Sequence, residues 1–236
     1  MRISVNEVFF SLLRYGTGLS DTVELPVMNR SLWASVFSMA HRQTVLGIIL
    51  DAVNKLPESI EKPDRDLLMK LLARVMEMET WNRKVNMEAI RWSEYFKGKG
   101  YRSILLKGQG AANLYPNPLH RNPGDIDLWV IGDTDTVRDI VVHEIGADSI
   151  SFHHICVHGE VELEVHTTPS WMYSYPRNRK LQKLFKEWAE SPKQSELHDA
   201  GNIYIPSDEM NRVYMLIHMY RHVFGSGIGL RQMMDY

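Results

Sequence analysis

One cysteine, Cys156, stands in 236 residues. A single thiol excludes an internal disulfide framework and suits a reducing compartment. No apolar run approaches the ~20 residues that span a bilayer. The apolar N-terminal stretch carries Glu7 and lacks a small-residue cleavage site, so it reads as a helix rather than a signal peptide. Neither sign of charge is in excess. The 27 basic and 29 acidic side chains leave a formal net charge of −2, which excludes a global positive field able to hold a long nucleic acid by counterion release alone. Low-complexity segments and internal repeats are missing too. With 44% hydrophobic and 24% charged residues, the composition is that of a globular chain of one or two domains. The expectation is a cytoplasmic protein without a membrane partner.

Periodicity divides the chain into three regions. Residues 1–98 read as helical. Leu32, Trp33, Val36, Phe37 and Ala40 recur at helical spacing, with Ser31 as N-cap, and Val45, Ile48, Ile49, Ala52 and Val53 repeat the pattern. From Asp64 to about Lys97 there is no glycine or proline. Leu68, Leu71, Leu72, Val75, Met76 and Met78 open an apolar stripe there, on one long helix or two. Residues 99–172 change character. Ser103–Lys107 is a short buried strand, Gly108–Asn113 a small-residue turn into a short helix, and Asp125–Ile131 a strand of period two. Asp133–Ile145 reads as a helix capped by Asp133 or Thr134. Ile150–Val157 and Val161–His166 read as two strands of a hairpin turning at His158-Gly159. Residues 173–236 return to helix. Leu181, Leu184, Phe185 and Trp188 share one face, and Val213, Leu216, Ile217 and Tyr220 another. Leu230–Tyr236 looks like the opening of a helix without a C-cap, which suggests a truncated or unusually short chain.

Chemistry concentrates in the middle region. Asp125 and Asp127, one residue apart on a strand, point to the same face. Paired carboxylates there suit hard cations such as Mg²⁺ or Mn²⁺. The turn Gly108-Gln109-Gly110 opens a helix and offers backbone N–H groups to a phosphate. Lys107 precedes that turn and can reach a phosphate, and Arg121 can meet a triphosphate or pair with Asp125. A phosphate cradle beside metal ligands is the pairing that in-line nucleotidyl displacement needs. Glu162, Glu164 and His166 share one face of a later strand, and parity leaves either glutamate as the third carboxylate.

These residues carry a resemblance. Leu105-Leu-Lys-Gly108, Tyr115-Pro116, Arg121 before Gly124-Asp-Ile-Asp-Leu128, Phe152-His-His154 and Glu164-Val-His166 resemble the nucleotidyltransferase superfamily of the DNA-polymerase-β type. Within it the chain is similar to a branch of uncharacterised bacterial nucleotidyltransferase-like proteins. The resemblance covers about residues 100–170, with a weaker match at Gly227-Ile-Gly-Leu-Arg-Gln232. Where the superfamily carries a Gly-[Gly/Ser] pair, this chain has Gly108 followed by Gln109 and Gly110 by Ala111. The resemblance implies an α+β fold, a small mixed β-sheet core flanked by N- and C-terminal helical regions. It implies metal-dependent transfer of a nucleoside monophosphate from ATP or another NTP to an acceptor hydroxyl, releasing pyrophosphate. Asp125, Asp127 and Glu164 would hold Mg²⁺ or Mn²⁺. The family pattern, an acidic residue two before a histidine, selects Glu164 over Glu162. Lys107, Gly108, Gln109, Gly110 and Arg121 would contact the nucleotide. The acceptor, whether small molecule, RNA end or protein, is left open.

Two rival readings come from other classes. One is a nucleotidyltransferase-fold binding module that partners another protein in a toxin–antitoxin or defence context. The other is a zinc protein built on His153, His154, Cys156, His158 and His166, whose spacing fits no compact finger. Strand alternation sends His154, Cys156 and His158 to one face and His153 to the other. The basic run Arg177, Arg179, Lys180, Lys183 and Lys186, with Trp171, Tyr173 and Tyr175 nearby, is either a solvated face or an RNA contact.

Overall fold

The structure is a computed structural model that describes residues 4–225 and 227–236. It is mixed α+β, as expected, and its chain divides into two compact units.

The first unit gathers residues 1–82, 114–122 and 229–234. Helix α1 (Val5–Gly16) begins with a capping box. The Ser4 hydroxyl accepts from the Glu7 backbone N–H, and the Glu7 carboxylate accepts from that of Ser4. The acidic residue within the apolar N-terminal stretch is therefore a helix-start signal. Helix α2 (Arg30–Arg42) is capped by Asn29, whose side chain accepts from Leu32 N–H. The expected cap, Ser31, lies inside the helix; its carbonyl accepts from the Ser35 hydroxyl. Helix α3 (Leu46–Lys55) follows a short break. Phe9, Leu12, Trp33, Val36, Ile48, Ile49 and Tyr115 form a dry core, against which Leu230 and Met234 of the short helix α9 (Leu230–Met234) pack.

Helix α4 (Arg65–Gly98) is unbroken over 34 residues, about 51 Å at 1.5 Å per residue. Asp64 accepts from Leu67 N–H at its start. Leu71 and Val75 of the expected stripe are buried, whereas Met76 faces out. Residues of α4 up to Asn82 belong to the first unit and those from Arg83 to the second.

The second unit holds a five-stranded sheet of order β1-β2-β5-β4-β3. Its strands are β1 (Arg102–Leu106), β2 (Ile126–Ile131), β3 (Ser149–Ile150), β4 (His154–Val157) and β5 (Leu163–His166). Only β2 and β5 run parallel; β1–β2, β3–β4 and β4–β5 are antiparallel. The expected β4–β5 hairpin is present, but Ile150–Val157 is not one strand. The chain reverses at Ser151–His153, where Ser151 N–H bonds the His154 carbonyl. Alternation sorts the sheet residues. Leu105, Ile126, Leu128, Val130, Leu163 and Val165 meet Val85, Ala89 and Phe96 of α4 and Val137 of α6 (Thr134–Ile140). Ile104, Leu106 and Trp129 face the other way, onto Leu181 and Phe185 of α7 (Tyr175–Ala189) and Met210 and Tyr214 of α8 (Asp208–Gly225). Asp127 lies between Ile126 and Leu128 and therefore projects to the α7/α8 side.

Several expectations are corrected here. The 133–145 helix is α6, capped by Asp133, followed by a π-helical turn over Val141–Gly146. Leu184, Val213, Leu216 and Tyr220 are exposed; of the expected α8 face only Ile217 is buried, together with Met210 and Tyr214. The hairpin β6 (Lys193–Leu197) and β7 (Gly201–Ile205) had no expected counterpart. Its first strand, Lys-Gln-Ser-Glu-Leu, buries only its last residue and carries no apolar alternation to read.

In the first unit, His120 lies in a 3-10 turn (Pro118–His120), buried between Asp51 Oδ1 at 2.8 Å and Glu79 Oε1 at 3.0 Å. Burial pulls its pKa down, but the bonds and charges of Asp51 and Glu79 overcome that and hold it above the ordinary value near 6.5. A group with a raised native pKa stabilises the fold fully below its unfolded value and loses that contribution as pH rises through the native one. We expect urea-unfolding stability, measured from mildly acidic to alkaline pH, to fall more steeply in the wild type than in His120→Gln. Parallel profiles for the two proteins refute this.

Candidate active site

The site is assembled in the second unit from the ends of β1, β2, β4 and β5 and from one face of α8. At the end of β1 the chain twists. Lys107 has φ +32° and Gly108 has φ +46°, a region few side chains tolerate. Helix α5 (Lys107–Ala112) starts in that twist, and no side chain among the described residues caps it. Strained backbone of this kind persists where its surroundings over-determine it, and here Lys107 is held by carboxylates. Its Nζ lies 2.9 Å from Asp127 Oδ1 and 3.7 Å from Asp125 Oδ2.

The Asp127 side chain is fully buried. Besides Lys107, its Oδ1 meets His166 Nε2 at 2.9 Å, while Oδ2 is buried without a hydrogen-bond partner among the described residues. The parallel β2–β5 register sets Glu164 opposite Asp127. His166, two residues on and on the same face, also lies 3.4 Å from Glu164 Oε2. Antiparallel pairing then brings His154 opposite His166 and Cys156 opposite Glu164. Asp127, Glu164 and His166 each place a potential ligand atom within 4.8 Å of the others.

These groups open into a cleft of about 670 Å³, lined by Lys107, Asp125, His153, His154, Glu164 and His166 on the sheet side. From α8 come Tyr214, His218, Arg221 and His222. Its electrostatics follow from burial and proximity. Burial opposes charge on Lys107, but Asp127 and Asp125 outweigh it and raise its pKa. Burial likewise opposes charge on Glu164, yet the His166 hydrogen bond and Lys107 hold its carboxyl down at about 2. His166 is raised because Asp127 and Glu164 overcome its burial. Burial, with the neighbouring His166 and His154, pushes His153 down to about 3, and burial with Lys107 takes His218 to about 3. Charged groups thus cluster at the carboxylate end and at Arg221, with His153 and His218 kept neutral by burial and by the cations near them.

The sequence-derived residues fare differently. Asp125, Asp127, Glu164 and Lys107 come together. Glu162 does not join them; it is exposed, with Oε1 3.5 Å from His158 Nε2. Of the turn, only Lys107 lines the cleft. Gln109 is buried, and its amide donates to Asn86 Oδ1 at 2.6 Å, so its side chain serves the interior. At Gly110 an added Cβ would lie 3.0 Å from the Leu105 carbonyl, which ties this glycine to close packing on β1. Arg121 belongs to the first unit, buried, with its guanidinium donating to the Asn122 carbonyl at 3.3 Å. His153 and His154 do not lie on opposite faces. His153 precedes β4, in the turn, so alternation does not govern it, and its Nε2 lies 3.3 Å from His154 Nδ1. The basic run lies along α7, where Arg179, Lys180, Lys183 and Lys186 line a separate groove with Tyr175. Sequence reasoning missed the α8 contribution. The one available signal was the i, i+4 spacing of His218 and His222, which places both on one helix face.

Residues 29–236 match the family model described as an uncharacterised nucleotidyltransferase. No curated protein matches the chain. Among the described residues no helix is long and apolar enough to cross a membrane.

Lys107 and Asp127 form a largely desolvated pair, and removing one partner of such a pair costs about 3–5 kcal/mol. We expect Lys107→Met to lower the unfolding free energy by about that amount in denaturant titration. A loss below about 1 kcal/mol, the size of a surface pair, contradicts the assignment.

Proposed function

The chain belongs to the uncharacterised nucleotidyltransferase family, and on that premise we propose that the cleft transfers a nucleoside monophosphate from an NTP to an acceptor hydroxyl. Family membership supports nucleotidyl transfer as the reaction class. The observation that carries the finer reading is the β2–β5 register, which seats Glu164 against Asp127 while Lys107 spans Asp127 and Asp125.

The donor set fits a hard divalent cation. Asp127 Oδ2 is buried without a partner among the described residues, Glu164 offers an oxygen within 4.8 Å of Asp127, and Asp125 lines the same cleft, 3.7 Å from Lys107 Nζ. Asp125, Asp127 and Glu164 would hold Mg²⁺ or Mn²⁺, which when bound supplies charge neutralisation of the triphosphate and polarisation of the acceptor hydroxyl. The remaining roles fall to the chain's own residues. Lys107 meets the phosphate oxygens as a fixed positive charge. Glu164, set opposite Asp127 by the β2–β5 register, accepts the proton of the attacking hydroxyl at an Oε atom. The acceptor oxygen bonds to the α-phosphorus, the α–β bridging bond breaks, and its electron pair leaves on pyrophosphate. His166 keeps the Asp127 and Glu164 carboxylates in place.

The test is transfer of label from each α-labelled NTP, with Mg²⁺ or Mn²⁺, into molecules of a cell extract. Removing a general base costs about 10²–10⁴-fold. Glu164→Gln is therefore expected to lower transfer by at least 10²-fold while keeping much of the NTP affinity, and Glu162→Gln to stay within a few-fold of wild type. The reverse order of the two variants overturns the reading, as does NTP binding that is unchanged by EDTA.

A further inference from the structure

Beside the carboxylates the cleft holds a second set of donors: His153 and His154, which nucleotidyl transfer does not use, and the second ring nitrogen of His166, whose Nε2 serves Asp127. The rings of His153, His154 and His166 form a triangle, with centroids 4.5, 5.4 and 5.7 Å apart. Each can place a ring nitrogen within 4.8 Å of the other two. We propose that these three histidines form a separate site for a nitrogen-preferring divalent ion of the Zn²⁺ class, with its fourth position open to the cleft.

Three observations support it. First, His153 Nε2 and His154 Nδ1 are 3.3 Å apart. Two ligands on a tetrahedral ion at Zn–N distances of about 2.0–2.1 Å are separated by about 3.3–3.4 Å, so this edge is already formed. Second, His166 is 3% exposed and commits Nε2 to Asp127, while Nδ1 is buried without a partner among the described residues. A carboxylate on one imidazole nitrogen with the other nitrogen uncommitted is the arrangement that orients metal-bound histidines. An ion arriving there displaces the Nδ1 proton. Third, all three histidines line the cleft, and three protein ligands with one accessible position distinguish reactive zinc sites from closed structural ones.

Chemistry separates the two sites. Imidazole nitrogens favour Zn²⁺ and its neighbours, whereas carboxylate oxygens suit Mg²⁺. Arg221 is the group that must yield. Its NH1 lies 3.3 Å from His153 Nε2 and 3.5 Å from Ser170 Oγ, and its guanidinium stacks 5.0 Å above the Trp171 ring. Entry of the ion moves the guanidinium off His153. The inference does not rest on the transferase reading, because its test contains neither NTP nor acceptor.

The experiment titrates ZnCl₂ into chelator-stripped full-length protein in a large excess of Mg²⁺. The expected result is one Zn²⁺ per chain. His154→Ala should weaken binding by more than the ~10–100-fold typical of an outer-shell change, and Asp127→Asn by about that ~10–100-fold. Cys156→Ser should leave it unchanged. Wild-type protein loaded with Co²⁺ should show three paramagnetically shifted imidazole signals, a readout that needs no variant to fold. The proposal is overturned by the absence of Zn²⁺ binding, by displacement by Mg²⁺, or by fewer than three shifted imidazoles. It is equally overturned if Cys156→Ser abolishes binding, which assigns the ion to the neighbouring His154–Cys156–Glu164 set.

Discussion

The second unit is organised around a carboxylate that water does not reach. Asp127 sits inside the sheet with its side chain fully buried, and an ion so placed is tolerated only when opposite charge and hydrogen bonds surround it. Lys107 from the end of β1 and His166 from β5 supply both. Their demands reach outward. Lys107 can serve only because the backbone turns through positive φ at Lys107 and Gly108. His166 can serve only because β5 lies parallel to β2, in the register that also delivers Glu164. One buried charge thus couples the strained turn, the parallel pairing and the third carboxylate.

That coupling gives the cleft two electrostatic halves. At the carboxylate end, ionised groups hold one another in their charged forms: Lys107 and His166 are raised and Glu164 is depressed. A few ångströms away, His153 and His218 are kept neutral by burial and by the same cations. A fixed positive field next to oxygen donors suits phosphate and hard-cation chemistry, while neutral imidazoles with uncommitted nitrogens suit softer ions. The two halves meet at the β4–β5 hairpin, because antiparallel pairing sets His154 beside His166.

Much of this was legible in the sequence. Asp125 and Asp127 announce themselves through parity, and Lys107-Gly108 follows a short apolar run that reads as a buried strand. Glu164 was distinguishable from Glu162 by resemblance but not by parity, since both lie on the same side of an ideal strand. Geometry separates them: β5 begins at Leu163, and Glu162, at its edge, bonds β2 only through its carbonyl while its side chain turns to His158 in solvent. Gln109 lies in the Gly-rich turn, yet its amide is used by Asn86 of α4, a partner more than twenty residues away in the chain. His153 defeated alternation because the chain reverses just before β4.

The sequence by itself determined the local elements: the amphipathic helices, the short strands, and the side-chain chemistry set at fixed spacing along them. Those follow from steric and hydrophobic periodicity, which act between near neighbours in the chain. Only the tertiary structure decided which strands run parallel and in what register, which face of α8 is buried, and which residues share the cleft with Asp127. Those outcomes depend on pairing between segments tens of residues apart. There burial of the sheet's apolar faces and the pairing of a few buried charges act together on the register.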